Sequence, residues 1–216
     1  EVVFGTATAD NGAFPGAPGM FTAMCAFAPY ALDNVSQEAF DVMTNRPKQA
    51  AYRAPGSPMA AFAVESVIDE LCNRLGLDPI DVRIKNASRE GTKASFGITW
   101  PRIGLVECLE QAKAHPHLTA PLPENGGRGI SCGFWFNHGG ETAVSLALAE
   151  DGTVSLSVGT PDIGGSRASM CMMAAEELGI QYDDVRTTIA DTATLGYNEI
   201  SHGSRVTYAS GLEVLH

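Results

Sequence analysis

The sequence has no run of about 18 apolar residues, which is the length a membrane-spanning helix needs, and no excess of basic charge. Its start has neither the basic segment nor the apolar stretch of a signal peptide. The 14 Lys and Arg residues are outnumbered by 25 Asp and Glu residues, for a net charge of -11. Nucleic-acid binding needs a basic face. We therefore expect a cytoplasmic protein with no membrane or nucleic-acid partner.

Cysteine pairs in Cys-x-x-Cys spacing are also absent, although there are five cysteines. The five are Cys25, Cys72, Cys108, Cys132 and Cys171. Their spacing fits neither a structural zinc site nor an iron–sulfur cluster, and their number is odd. This pattern favours reduced, mostly buried thiols that pack in the interior. The His115-Pro116-His117 stretch is typical of a polar linker, so we predict no metal ligands in this chain.

Turn and capping residues predict the elements of the first half of the chain. The sequence begins with Glu1 rather than Met, which suggests a piece of a longer protein. Residues 1–35 predict a strand, a Gly/Pro-rich loop with a turn at Asn11-Gly12, and then extended or irregular chain. Ser57 as a cap before a proline, with Gly76 as the stop, predicts a helix over residues 58–75. The Asp-Pro pair that follows predicts a short helix over residues 79–86.

The second half alternates between strand and helix signals. Asp151-Gly152 is a two-residue turn between strands over residues 142–149 and 153–158. Further predicted elements are helices over residues 104–115, 167–178 and 206–215 and a strand over residues 185–190. Gly179 is the predicted stop of the helix over residues 167–178. The predicted fold class is α+β, with two lobes of mixed, mostly antiparallel sheet and packed helices.

Three short segments of small residues each contain one arginine and precede a helix start. They are residues 51–56, 162–169 and 201–205. Little side chain lets backbone N–H groups approach a ligand, a helix start adds its unpaired amides, and arginine adds a fork of donors for anions. Together they predict a large polyanionic ligand. The alternative is that Arg53 or Arg205 only connects local backbone; Arg167, at a helix start, needs an anionic ligand or an acidic neighbour.

Five stretches give the chain a family resemblance. They are residues 52–66, 78–86, 151–164, 174–180 and 203–211. In this order they resemble the molybdopterin-binding large subunit of the molybdenum hydroxylases, the xanthine dehydrogenase and aldehyde oxidase family. The resemblance implies the C-terminal part of a first molybdopterin-binding domain over residues 1–90. It also implies a linker over residues 91–127 and the N-terminal part of a second such domain over residues 128–216.

The resemblance implies a molybdenum-molybdopterin cofactor, with the cytosine dinucleotide form as one alternative. The cofactor-binding residues implied are Arg53, Ala54, Gly164, Gly165, Ser166, Arg167, Gly203 and Ser204. The substrate-pocket residues implied are Pro55, Trp135 and Phe136.

The family's reaction is hydroxylation of an aldehyde or an aromatic N-heterocycle with water as the oxygen source. Its catalytic base, a glutamate in a Gly-rich segment, has no counterpart in this chain, so we expect no catalytic residue here and no activity from the isolated chain. Iron–sulfur clusters and FAD are expected on partner domains or subunits. The expected partners are the iron–sulfur and flavin domains or subunits, the rest of the large subunit and a small-molecule substrate. The protein is expected to form an oligomer. The alternative is a non-catalytic phosphate- or nucleotide-binding or assembly module of a larger complex.

Several residues depart from the family pattern. Gly164-Gly165-Ser166 stands where Gly-Gln-Gly is common, and Pro55 stands where an aromatic residue is common. Ala54 occupies the position of a cysteine in the branch that oxidises carbon monoxide, which argues against that branch. Among the remaining polar residues, His138 and His202 are expected to make local hydrogen bonds, and Asp162 and Glu199 lack the setting of a tuned general base.

Overall fold

The computed structural model describes residues 6–8, 17–43, 45 and 51–216. The chain divides into two compact units, residues 1–135 and 136–216. No helix among the described residues is long and apolar enough to cross a membrane. The five cysteines are free and only Cys108 is exposed, as predicted for packing thiols. The predicted domain bounds, linker and two-lobe arrangement stay predictions.

Helices dominate the first unit. In chain order its elements are β1 (Thr6–Thr8), α1 (Ala17–Ala26), β2 (Asp41–Met43), α2 (Ser57–Leu75), α3 (Pro79–Asn86), α4 (Leu105–Ala114) and α5 (Pro116–Thr119). Strands β1 and β2 pair in parallel. The hydrophobic core of this unit includes Ala60 and Val64 of α2, Ile80 of α3 and Leu109 of α4.

The ends of α2 and α3 follow local signals with one exception. Gly76 ends α2 in the left-handed conformation (φ 64), and the Asp78 side chain accepts from two backbone amides at the start of α3, both as predicted. Ser57 is not the cap of α2. It is the first helical residue, and its Oγ donates to the carbonyl oxygen of Phe134 at 2.6 Å. Gly56, at φ 87, takes the cap position because the chain enters the helix through left-handed backbone.

Helix α1 corrects the prediction of extended or irregular chain before residue 35. The predicted turn at Asn11-Gly12 lies outside the described residues. Residues 17–26 contain no charged side chain, so they show no amphipathic stripe that would predict a helix. Cys25 and Ala26 are each only 4% exposed. Burial in the core of this unit, rather than a pattern along the sequence, therefore stabilises α1.

The second unit is a small sheet covered by helices. Its elements are β3 (Val144–Leu148), β4 (Val154–Val158), α6 (Ser166–Leu178), β5 (Val185–Ile189) and a π-helical turn (Val206–Ser210) that continues into α7 (Gly211–Leu215). The sheet order is β3-β4-β5. Val154, Leu156 and Val158 are at most 1% exposed and pack with Met170 and Ala174 of α6.

The α+β class is confirmed, but the expectation of mostly antiparallel strands is wrong for the described strands. Strands β3 and β4 are antiparallel, whereas β4 and β5 are parallel, as are β1 and β2. The predicted Asp151-Gly152 turn joins β3 to β4 as a hairpin. Helix α6 lies between β4 and β5 in the sequence and returns the chain to the end of the sheet where β4 begins. Strand β5 therefore runs in the same direction as β4.

Candidate functional site

Strained backbone precedes α2. Arg53 (φ 28) and Ala54 (φ 55) are consecutive residues with side chains in the left-handed region, which costs of order 1 kcal/mol or more each. The amide of Ser57 donates to the carbonyl of Ala54 at 3.0 Å, so the turn closes directly onto the helix. Arg53 is exposed. The turn therefore presents a guanidinium group near the N-terminus of a 19-residue helix.

The loop before α6 has exposed glycine backbone. Gly164 (φ 62) and Gly165 (φ 87) are left-handed, and a Cβ added at either would meet no atom within 4 Å. The Ser166 hydroxyl instead lies inside the loop, where it accepts from the amide of Ile163 at 3.0 Å, and the residue is 6% exposed. Gly164 and Gly165 are therefore accessible to a ligand, whereas Ser166 maintains the shape of the loop.

Arg167 has an acidic neighbour within the same loop. Its Nε lies 3.8 Å from Asp162 Oδ2, and its backbone amide donates to Asp162 Oδ1 at 3.1 Å. Asp162 thus supplies the negative charge that the start of α6 favours. The side chain of Arg167 is 59% exposed, and an ion pair this exposed contributes little stability. Arg167 therefore remains available to a ligand, although Asp162 opposes an anion there.

Arg205 is not an anion-binding fork, and the alternative that it only connects local backbone is confirmed. The residue is 0% exposed. Its guanidinium donates to the carbonyl oxygens of Gly139 at 2.9 Å, Glu199 at 3.0 Å and Glu141 at 2.7 Å. These three carbonyls occupy N–H donors of the guanidinium that a ligand would need. Through these bonds, Arg205 connects residues 139–141 to the segment before α7. Ser204, next to it, is exposed and left-handed (φ 59).

The predicted pocket residues lie in different environments. Pro55 is half-buried beside the strained turn. Trp135 packs against the core of the first unit and meets the ring of Phe21 edge-on at 5.7 Å. Phe136, in the second unit, approaches Gly203, where an added Cβ would lie 3.6 Å from its ring. A pocket role for these residues stays a prediction.

A buried polar network in the first unit was missed by sequence reasoning. Glu65 is 5% exposed and accepts from the Tyr30 hydroxyl, from Arg83 Nε at 2.8 Å and from the Cys132 backbone amide at 2.9 Å. Arg83, 0% exposed, also donates to Asp69 at 2.8 Å. The partners of Glu65 are 18 to 67 positions away in the chain. No helical or strand period links such positions, so no local pattern signals the network.

This network shifts the pKa values of its members. Burial raises the pKa of the Tyr30 hydroxyl, and the hydrogen bond with Glu65 raises it further. Burial and the Glu65 charge also raise the pKa of the Cys132 thiol. Burial alone would lower the pKa of Arg83, but the hydrogen bonds with Glu65 and Asp69 outweigh it and raise that pKa. Burial therefore keeps the Tyr30 hydroxyl and the Cys132 thiol neutral at pH 7.

A second cluster missed by sequence reasoning lies in the second unit. The Nε2 atoms of His138 and His202 are each 3.8 Å from Glu199 Oε1. The two imidazole ring centroids are 4.8 Å apart. A separation of 3.8 Å is too long for a hydrogen bond. Neither imidazole Nε2 atom therefore makes the expected local hydrogen bond with the Glu199 carboxylate.

Comparison with known proteins decides the family. Residues 3–87 and residues 108–215 each match a molybdopterin cofactor-binding domain. The chain belongs to the molybdopterin-binding family of xanthine dehydrogenases and aldehyde oxidoreductases. The turn before α2 lies in the first matched stretch, and the loops before α6 and α7 lie in the second. The family recognised from residues 52–66 and the later stretches is confirmed.

Relatives within this family are longer than the chain. A xanthine dehydrogenase molybdenum-binding subunit of Escherichia coli O157:H7 is 32% identical over 77% of this chain and 24% of its own length. An aldehyde oxidoreductase of Megalodesulfovibrio gigas is 30% identical over 85% of this chain and 22% of its own. The crystal structure of the aldehyde oxidoreductase from Desulfovibrio desulfuricans shares the fold, with a TM-score of 0.80 over 97% of this chain and 25% of that one, at 24% identity. The chain thus spans about a quarter of the length of these relatives.

Proposed function

We propose that this chain forms molybdopterin-contacting loops in the large subunit of a molybdenum hydroxylase. The enzyme would hydroxylate an aldehyde or an aromatic N-heterocycle with water as the oxygen source. The observation that carries the proposal is the left-handed pair Arg53 and Ala54 before α2, within a stretch that matches a molybdopterin-binding domain. Strained backbone of this kind is concentrated at ligand sites.

The exposed groups suit a polar cofactor that carries phosphate. Arg53 offers an exposed guanidinium, and no described residue forms an ion pair or a hydrogen bond with it. Gly164 and Gly165 offer backbone with no side chain in the way. Ser204 adds an exposed hydroxyl on left-handed backbone. These donors fit an anionic ligand, so the residues present are compatible with molybdopterin.

When bound, the cofactor supplies the redox chemistry of molybdenum. Arg53 and the Gly164-Gly165 backbone would bind and orient it, Ala54, Gly203 and Ser204 would make further contacts, and Pro55 would line the substrate pocket. The chain contributes no catalytic residue, so the general base comes from elsewhere in the enzyme. Trp135 and Phe136 form part of the substrate pocket in this proposal.

The proposed enzyme is larger than this chain, and exposed apolar side chains support that. On α2, Phe62 is 78%, Leu71 51% and Leu75 67% exposed, which is typical of a surface that another chain or domain covers. We infer that the rest of the large subunit covers this face. Iron–sulfur and FAD domains or subunits complete an oligomeric, cytoplasmic enzyme.

The test is the metal content of the native complex, purified through an affinity tag on this chain. We expect about one molybdenum and one pterin per chain. Arg53→Gln should lower molybdenum occupancy severalfold, and Arg102→Gln, at another exposed arginine of the first unit, should leave it unchanged. A native complex without molybdenum would refute the proposal and favour a phosphate-binding or assembly module. Turnover by the isolated chain would contradict the absence of a catalytic residue.

A further inference from the structure

Three potential metal ligands meet near the start of the π-helical turn. One ligand atom from each of His138, Glu199 and His202 lies within 4.8 Å of the other two. Glu199 Oε1 is 3.8 Å from both imidazole Nε2 atoms, so one oxygen faces two nitrogens. The side chains of His138, Glu199 and His202 are 44%, 30% and 40% exposed. An ion and a water molecule can therefore reach the cluster from solvent.

The backbone around these side chains is held in place. Arg205 donates to the carbonyls of Glu199 and Glu141, and the His138 amide donates to the carbonyl of Gly203 at 2.8 Å. A Cβ at Gly203 would lie 2.7 Å from the Cβ of His138. The two ligand-bearing segments are therefore connected by hydrogen bonds and a close backbone approach, independent of any ion.

Gly140 adds a similar constraint on the carboxylate. A Cβ at Gly140 would lie 1.8 Å from Glu199 Oε2, so a side chain there would displace the Glu199 side chain. Gly140 is also left-handed (φ 113). Glycine at this position thus leaves room for the carboxylate that faces both imidazoles.

The separations suit a shared cation better than hydrogen bonds. Zinc binds imidazole nitrogen and carboxylate oxygen at about 2.0–2.2 Å, which places ligand atoms of a tetrahedral site about 3.3 Å apart. The observed 3.8 Å is too long for a hydrogen bond, and small side-chain rotations close it to the zinc spacing. Two imidazoles and a carboxylate form a ligand set that zinc accepts, with a further position for water.

We propose that His138, Glu199 and His202 bind a divalent transition metal ion, with Zn²⁺ as the expected occupant. The ion connects residues 138–141 to the loop before α7 and supplements the hydrogen bonds of Arg205. This site is separate in chemistry from the molybdopterin site, since it uses protein ligands alone. Its existence does not depend on the proposed function.

The test is titration of the metal-free 216-residue chain with Zn²⁺, in phosphate-free buffer with a chromogenic chelator as competitor. The expected stoichiometry is one ion per chain. His138→Asn, His202→Asn and Glu199→Gln should each weaken affinity by about 10-fold or more, at least the loss seen when outer-shell partners of a metal are changed. Binding should also raise the thermal unfolding midpoint of the wild-type chain.

Matched controls use the chain's other exposed ligand types. A His115→Asn/His117→Asn double variant removes an exposed histidine pair with rings 6.5 Å apart, and Cys108→Ser removes the exposed thiol. Neither should change Zn²⁺ affinity. Loss of binding in these controls, or affinity unchanged in the three site variants, would overturn the proposal.

Visible absorption of Co²⁺ bound to the wild-type chain tests the site without relying on the variants to fold. Co²⁺ should bind with the intense visible absorption of a four-coordinate site, and added Zn²⁺ should remove it. If Co²⁺ added to the chain kept the weak absorption of the free hexaaqua ion, the proposal would fail. This outcome is informative even where the variants do not fold. Molybdenum content of the native complex is measured separately, so failure here leaves the proposed function untouched.

Discussion

Replacing Glu65 by alanine should destabilise the first unit more than any surface change on α2. The Glu65 carboxylate accepts hydrogen bonds from Tyr30, Arg83 and Cys132. Its loss leaves the Tyr30 hydroxyl and the Cys132 amide without that acceptor, and it leaves the buried Arg83 charge with Asp69 as its remaining carboxylate. Removing one partner of a buried ion pair costs about 3–5 kcal/mol.

The expected size of the effect is measurable by urea unfolding. With an m-value of about 2 kcal/mol per M, a loss of about 4 kcal/mol lowers the urea midpoint by about 2 M. Both tryptophans of the chain, Trp100 and Trp135, lie in the first unit. Their fluorescence therefore reports on the unit that contains Glu65, separately from the second unit.

The matched control is Glu70→Ala on the same helix. Glu70 pairs with Arg74 one turn away, with both side chains more than half exposed, and such pairs contribute about 0.3–0.5 kcal/mol. Equal midpoint shifts for the Glu65 and Glu70 variants would refute the reasoning that burial sets the cost. If Glu65→Ala does not fold, Tyr30→Phe removes only one hydrogen bond and should cost about 1 kcal/mol.

Three further outcomes follow from the same geometry. Because the pKa of Tyr30 is raised above its ordinary 10.0, its contribution to stability is complete below pH 10 and lost as pH rises further. Tyr30→Phe should weaken that alkaline loss in urea titrations, and Tyr52→Phe, at a residue 87% exposed, should not. Arg205→Lys should destabilise the second unit by about 1–3 kcal/mol and speed hydrogen exchange around residues 139–141, while Arg186→Lys on the surface should stay within about 0.5 kcal/mol. Ala54→Gly should raise the unfolding free energy by up to about 1 kcal/mol, because glycine tolerates φ 55; a loss of stability would contradict the left-handed turn.

Local signals predicted the elements that depend on local chemistry. The Asp151-Gly152 hairpin, the Asp78 cap and the glycine ends of α2 and α6 are all interactions between near neighbours in the chain. Helix α1 and the parallel pairing of β4 and β5 depend instead on partners far along the sequence. Burial overrides weak local preference in such elements, so their composition alone predicted them wrongly.

Burial also separates arginines that are alike in the sequence. Arg53, Arg167 and Arg205 each stand beside small residues before a helix, and all three suggested anion binding. The structure shows that Arg205 is fully buried and donates to three carbonyls, whereas Arg167 is exposed with a weak partner and Arg53 is exposed beside strained backbone. A buried guanidinium must find its acceptors within the protein, because leaving its donors unpaired would cost several kcal/mol. Only an exposed one retains donors for a ligand, and for that reason Arg53 is the arginine whose replacement tests cofactor binding.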